Sequence, residues 1–151
     1  MNLTKILELK NIKVGFESSD KKEVIKELVD LLEANGSLEN CEEVFEVVLI
    51  RERTRSTGIG SGIAIPHGKC GSIKELIMAI GISSEPIEFE SVDGKGVSIV
   101  LLLLSPADKT GPHIQALASI SRLMLDEEFR MSLVSAGSSE QAYELIVKKE
   151  S

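Results

Sequence analysis

Two histidines hold most of the chemistry open to this sequence, and both stand in unusual company. His67 ends the run Gly58-Ile-Gly-Ser-Gly-Ile-Ala-Ile-Pro-His-Gly68, and His113 directly follows Gly111-Pro112. Histidine is the side chain whose neutral form is a nucleophile near pH 7. A proline before His67 and a glycine after it fix its backbone just past a short buried strand, which holds an imidazole in place with one face open. The three glycines before it do not make a dinucleotide site, because that fingerprint needs a strand before the glycines and a helix after them. Here a helix comes before and a strand after, and no Walker-type Gly-Lys-Ser/Thr follows. His67, Cys70 and His113 make a poor zinc set, since no paired Cys-x-x-Cys or His-Glu-x-x-His supports them. Ser105 ends a strand without a Gly-x-Ser-x-Gly elbow, so no hydrolase triad is indicated.

The elements that must position these residues are legible from periodicity. Ile12, Val14 and Phe16 alternate with polar residues as a half-buried strand does. Asp20 and Glu23 have capping-box spacing before a helix carrying Val24, Ile25, Leu28, Val29 and Leu32, with Gly36 as its stop. A second helix starts near Asn40, presents Val44, Phe45, Val47 and Val48, and carries Arg51 near its C-terminal end. Ile63-Ala64-Ile65 predicts a short strand stopped by Pro66. The apolar runs Leu76–Ile82 and Val97–Leu104 read as central strands covered on both faces. Ile87 and Phe89 alternate before an Asp93-Gly94 turn, which predicts one short antiparallel strand between them. Pro112 opens a helix whose inner face is expected to be Ile114, Leu117, Ala118, Ser121 and Met124. Two shorter helices follow, around Asp126–Val134 and Ser138–Val147. The expectation is one α/β domain over residues 1–151, a central, mixed, mostly buried sheet with helices on both faces.

Composition narrows the function classes. The 151 residues carry 17 Lys plus Arg against 24 Asp plus Glu, a net charge of −7, with four Phe, one Tyr and no Trp. A chain that binds nucleic acid needs cations to displace phosphate counterions and aromatic rings to stack on bases. The longest strictly apolar run, Ile99–Leu104, is six residues, far short of a bilayer span, and no signal-peptide core follows Met1. Cys41 and Cys70 form no disulfide framework and read as small packing residues of a reduced, cytoplasmic protein.

The stretch Arg51-Glu-Arg-Thr-Arg-Ser-Thr-Gly-Ile-Gly-Ser-Gly-Ile-Ala-Ile-Pro-His-Gly68 resembles the active-site signature of enzyme IIA domains of the bacterial phosphoenolpyruvate-dependent sugar phosphotransferase system, of the fructose/mannitol type that includes nitrogen-regulatory members. The resemblance continues through Ile87-Glu-Phe-Glu-Ser-Val-Asp-Gly94, the strand ending in Ser105-Pro106 and the helix at Pro112-His113, and so covers essentially the whole chain. It implies that His67, after the Ala-x-Pro pattern, accepts a phosphoryl group through Nε2 while a backbone carbonyl holds Nδ1–H. It implies that His113 is the second active-site histidine and Arg51 the site arginine. The donor would be the phosphocarrier protein HPr, and the acceptor a cysteine of an enzyme IIB domain or, in regulatory members, none, with phosphorylation acting on a target protein. No cofactor, no metal, no nucleic acid and no membrane insertion is implied. The residue types suit phosphoryl transfer, since Arg51 is a permanent planar cation and a helix N-terminus at His113 favours anions. Ser56 or Thr57 is a weaker candidate for an added hydroxyl, because Ser-Thr-Gly is also good turn chemistry. Arg53 and Arg55 are expected to stay solvated, and the acidic runs Glu85–Glu90 and Asp126–Glu128 to be exposed.

Overall fold

The apolar run that begins at Val97 is the axis of the molecule. In the computed structural model, which describes residues 1–151, it forms β6 (Val97–Pro106), flanked by antiparallel β5 (Ile77–Ile87) on one side. On the other side lie β3 (Ile63–Ala64) and β4 (His67–Cys70), both parallel to β6 and end to end along it. β1 (Leu7–Val14) pairs parallel with β5, and β2 (Gly58–Gly60) pairs antiparallel with β3, giving the order β1-β5-β6-β3-β2 with β4 also on β6. Five helices cover this mixed sheet: α1 (Lys21–Ala34), α2 (Cys41–Thr54), α3 (Thr110–Leu123), α4 (Glu127–Val134) and α5 (Ser139–Glu150).

Strand alternation sorts the core into two halves. Val100, Leu102 and Leu104 pack with α1 and α2 residues such as Leu28, Val44 and Val48. Ile99 and Leu101 pack with Ile120 of α3, Leu133 of α4 and Ile146 of α5. Both faces of β6 are therefore dry, which is why its sequence shows no polar alternation. The expected caps form: Asp20, Asn40, Asp126 and Ser138 each accept a backbone N–H three residues on. Gly36, at φ +74°, lets the Ser37 N–H reach back to the Leu32 carbonyl and close α1.

Three expectations change. Ile87 and Phe89 do not make a separate strand: β5 runs on through Ile87, bends, and leaves Phe89 buried beyond its end. The first strand starts at Leu7, five residues before Ile12, and stops before Phe16. Met124 is buried and Leu117 partly buried as expected, but the buried face of α3 itself is His113, Ala116, Ser119, Ile120 and Leu123, and Ile114 is 59% exposed. The reason is His113, which turns into the protein and takes the place that periodicity assigned to the isoleucine.

Leu102 is completely buried in the middle of β6. We expect Leu102→Ala to cost about 2–5 kcal/mol in urea unfolding. Leu125→Ala, at a side chain 78% exposed, should stay within about 0.5 kcal/mol of wild type.

Candidate functional site

Pro66 breaks the strand that carries the site. Having no N–H, it cannot continue the ladder as a donor, and its carbonyl instead accepts from the Leu103 N–H at 3.0 Å. The chain resumes pairing at His67, so the histidine lies just past the short strand, as the sequence suggested, and begins a strand of its own. β4 has β6 on one side and no strand on the other. Gly68 is required by close approach: a Cβ there would meet Cγ1 of Val47 at 2.9 Å, so α2 lies directly beneath β4. His67 therefore points to the opposite face, toward α3. Cys70, three residues on, points back under α2 into the core, with burial raising its thiol pKa to about 11, so it does not share a site with His67. No three His, Cys, Asp or Glu side chains gather in a metal-binding group.

Nδ1 of His67 lies 2.8 Å from the Ile65 carbonyl oxygen. A carbonyl only accepts, so Nδ1 carries the proton and the neutral ring leaves Nε2 as a bare lone pair. Burial lowers the basicity of His67 most; the Ile65 bond and Glu52 oppose that, and the Arg51 charge adds to it. With its pKa held below the ordinary imidazole value, the ring is neutral at pH 7.

His113 is 5% exposed and 5.4 Å from His67 between ring centroids, the rings tilted by 54°. Its Nδ1 sits 2.6 Å from the Ser105 hydroxyl, which can either give or take a hydrogen bond. Ser105 and His67 lie on the same face because Leu103, two residues before Ser105, is the register partner of His67. Burial, then His67, then Lys69 push the pKa of His113 down to about 4. No side chain caps the N-terminus of α3 and no acidic residue lies in its first turn. Its dipole end is thus open to an anion.

Arg51 lies in the last turn of α2, half-buried, where its Nη1 donates to the Arg55 carbonyl at 2.7 Å. Its charge is felt at His67 from α2, the helix packed under the open-edged β4. The structure thus places His67 beside His113, and the Arg51 charge acts on His67. The hydroxyls of Ser56 and Thr57 are not left for the site. Ser56 Oγ donates to the Phe89 carbonyl and accepts from the Gly58 N–H, and Thr57 Oγ1 donates to Glu52. Arg53 and Arg55 are exposed, as expected. Ser61 (φ +59°) and Gly62 (φ +78°) are the two central residues of the β2–β3 hairpin, the left-handed pair that a type I′ turn needs.

Two residues of the site do not announce themselves in the sequence. Ser105 leads nowhere as a hydrolase nucleophile, yet a lone serine closing a buried apolar strand is a signal for a buried polar partner. Lys69, whose Nζ is 3.4 Å from Thr110 Oγ1 at the start of α3, has no signal of its own.

The sequence and fold of this chain match known proteins. Residues 5–149 match the family model described as "Phosphoenolpyruvate-dependent sugar phosphotransferase system, EIIA 2". The chain belongs to this family. It is 36% identical over 146 residues to the fructose-specific EIIABC component of Bacillus subtilis (strain 168), covering 97% of this chain and 23% of that protein. It is 33% identical over 147 residues to a nitrogen regulatory protein of Bradyrhizobium diazoefficiens, covering 97% of this chain and 95% of that protein. The crystal structure of the nitrogen regulatory protein IIA-Ntr from Neisseria meningitidis superposes with a TM-score of 0.87 at 35% identity, over 95% of this chain and 98% of that one. This IIA chain thus has relatives of both the sugar and the nitrogen kind, and spans less than a quarter of the length of the fructose-specific one. None of its helices is long and apolar enough to cross a membrane.

The depressed pKa of His113 makes the stability of this IIA chain pH-dependent. Between about 6.5 and about 4 the unfolded chain binds a proton that folded His113 does not. Stability should be complete above pH 6.5 and decline as the pH falls toward 4, by on the order of 3 kcal/mol. His67, also depressed, acts in the same direction. Urea unfolding at pH 7, 5.5 and 4.5 should show a shallower decline in His113→Gln than in wild type.

Proposed function

We propose that this chain is a phosphocarrier that takes a phosphoryl group from phosphohistidine of an HPr-type protein onto Nε2 of His67 and passes it to a cysteine of an enzyme IIB domain. The observation that carries the reading is the Ile65 carbonyl on Nδ1–H, which leaves Nε2 as the only lone pair on a neutral ring. In the acceptance step the donor N–P bond breaks and an Nε2–P bond forms. The donor imidazole leaves with its lone pair, and the His67 proton stays on Nδ1. The ring that gains the group also gains positive charge, which the Ile65 carbonyl is placed to stabilise.

The phosphoryl oxygens need donors in a fixed geometry. His113 supplies one if the Ser105 hydroxyl donates to its Nδ1, because Nε2 then bears the hydrogen. The open start of α3 and the planar cation of Arg51 supply the rest. Ile114, left exposed directly after His113, gives the site an apolar neighbour suited to a protein partner rather than a small solute. The IIB acceptor is supported by the fructose-specific relative, whose name joins components A, B and C. A second reading is regulatory, with phosphorylation state controlling a partner and no sugar following. It is favoured by the nitrogen regulatory relative that this chain matches over 95% of that protein's length.

Incubation with phosphoenolpyruvate, enzyme I and HPr should add one acid-labile phosphoryl group by intact mass. His67→Ala should add none; undiminished incorporation in that variant rejects the assignment. His113→Ala should still become phosphorylated, but about 10²–10³ more slowly, the usual cost of one lost donor to a transferring anion. His113→Gln should regain part of that, and Arg51→Lys should regain less than its charge suggests, because lysine presents no fork. Chase with a IIB domain separates the two readings: loss of the group to IIB supports transport, and retention supports regulation.

A further inference from the structure

Glu52 is the only acidic side chain in the buried set, and its side chain is 3% exposed. A carboxylate removed from water is costly unless donors surround it. Here they come from two elements. Thr57 gives Glu52 both its backbone N–H, at 2.7 Å, and its hydroxyl, at 2.5 Å. Lys21 of α1 places Nζ 3.6 Å from the same carboxylate and donates to the Phe89 carbonyl, which also receives the Ser56 hydroxyl. The residue after Arg51 thus locks the loop that links α2 to β2.

The lock connects to the imidazole through two further bonds. The Thr57 carbonyl accepts the Ile65 N–H at 3.1 Å, and the Ile65 carbonyl accepts Nδ1–H of His67 at 2.8 Å. We infer that Glu52 is a positioning residue for His67. By holding Thr57 it holds the Ile65 peptide, and that peptide keeps the imidazole proton on Nδ1 and Nε2 free. Its negative charge also favours positive charge on the His67 ring, against Arg51 and burial. The groups that bear on the ring are Arg51 and Glu52 from α2, His113 from α3 and the Ile65 carbonyl from the break between β3 and β4. The phosphoryl part of the inference rests on His67 being the acceptor, whereas the tautomer part does not.

The test reads the histidine rings directly. Two-bond ¹H–¹⁵N spectra of wild type, Glu52→Gln and Thr57→Val give the tautomer and titration of each histidine without any phosphoryl donor. Wild-type His67 should be wholly Nδ1–H. Glu52→Gln should show a measurable Nε2–H share and a lower His67 pKa, with the His113 tautomer unchanged. Phosphoryl exchange with phospho-HPr should be about three- to tenfold slower, the factor that one net hydrogen bond represents. Thr57→Val, which keeps the peptide donor and loses only the hydroxyl, should change in the same direction by less, and serves if Glu52→Gln does not fold. A His67 ring that stays wholly Nδ1–H with its wild-type pKa in every variant that folds overturns the inference. Failure of wild-type His67 to take a phosphoryl group would instead overturn the proposed function and leave the ring result standing.

Discussion

A carbonyl oxygen can accept a hydrogen bond and cannot give one, and that asymmetry at Ile65 governs the site. Because its carbonyl lies 2.8 Å from Nδ1 of His67, the ring has a single neutral tautomer that fits, with Nε2 bare. The interaction exists only because the strand is broken. In an unbroken strand the Ile65 carbonyl would face a neighbouring strand rather than the side chain two residues on. Pro66 makes the break, Gly68 lets the chain settle back against α2, and β6 supplies the straight, fully buried rail that both pieces pair with.

The cost of the arrangement falls on the two imidazoles. Each is partly or wholly withdrawn from water, and each lies within reach of a cation: Arg51 for His67, and Lys69 for His113. Protonating either ring is therefore disfavoured, and both stay neutral at pH 7. For a phosphoryl acceptor this is useful, because protonation at Nε2 would remove the lone pair. The same cations that discourage a proton would attract a dianionic phosphoryl group. On the proposed function, one electrostatic setting would serve both the empty and the loaded ring, held between the packed cores on either side of the sheet.

How much of this is legible in the sequence depends on whether a residue's role is local. Helix caps, the two apolar strands and the flanking Pro66 and Gly68 act on their immediate neighbours, and the sequence displays them. His67, His113 and Arg51 are visible through a motif, and the structure sets the two rings 5.4 Å apart with the Arg51 charge acting on His67. Periodicity misplaces the α3 face because hydrophobicity counts Ile114 as inner and His113 as outer, whereas the Ser105 hydroxyl eight residues earlier reverses that order. The bend that merges Ile87 into β5 depends on pairing with Val97 across the sheet, which no local window contains. Glu52 is hidden for the opposite reason: in the run Arg51 to Arg55 it looks like one more solvated helix charge, and only the loop folding back through Thr57 buries it.

The separation of the histidines in sequence follows from the same geometry. His67 sits half-buried on the edge strand β4, and His113 sits on a helix whose uncapped N-terminus can meet an anion. The strand end lacks the convergent amides that the uncapped start of α3 supplies. The two must then be brought together across β6, which has Leu103 opposite His67 and Ser105 under His113. β6 is thus both the centre of the core and the ruler that sets the distance between the two imidazoles. A change in its register by one residue would send Leu103 and Ser105 to the α2 side and separate the rings. Its burial on both faces makes that slip costly, so the strand that shows least chemistry in the sequence does most to fix the site.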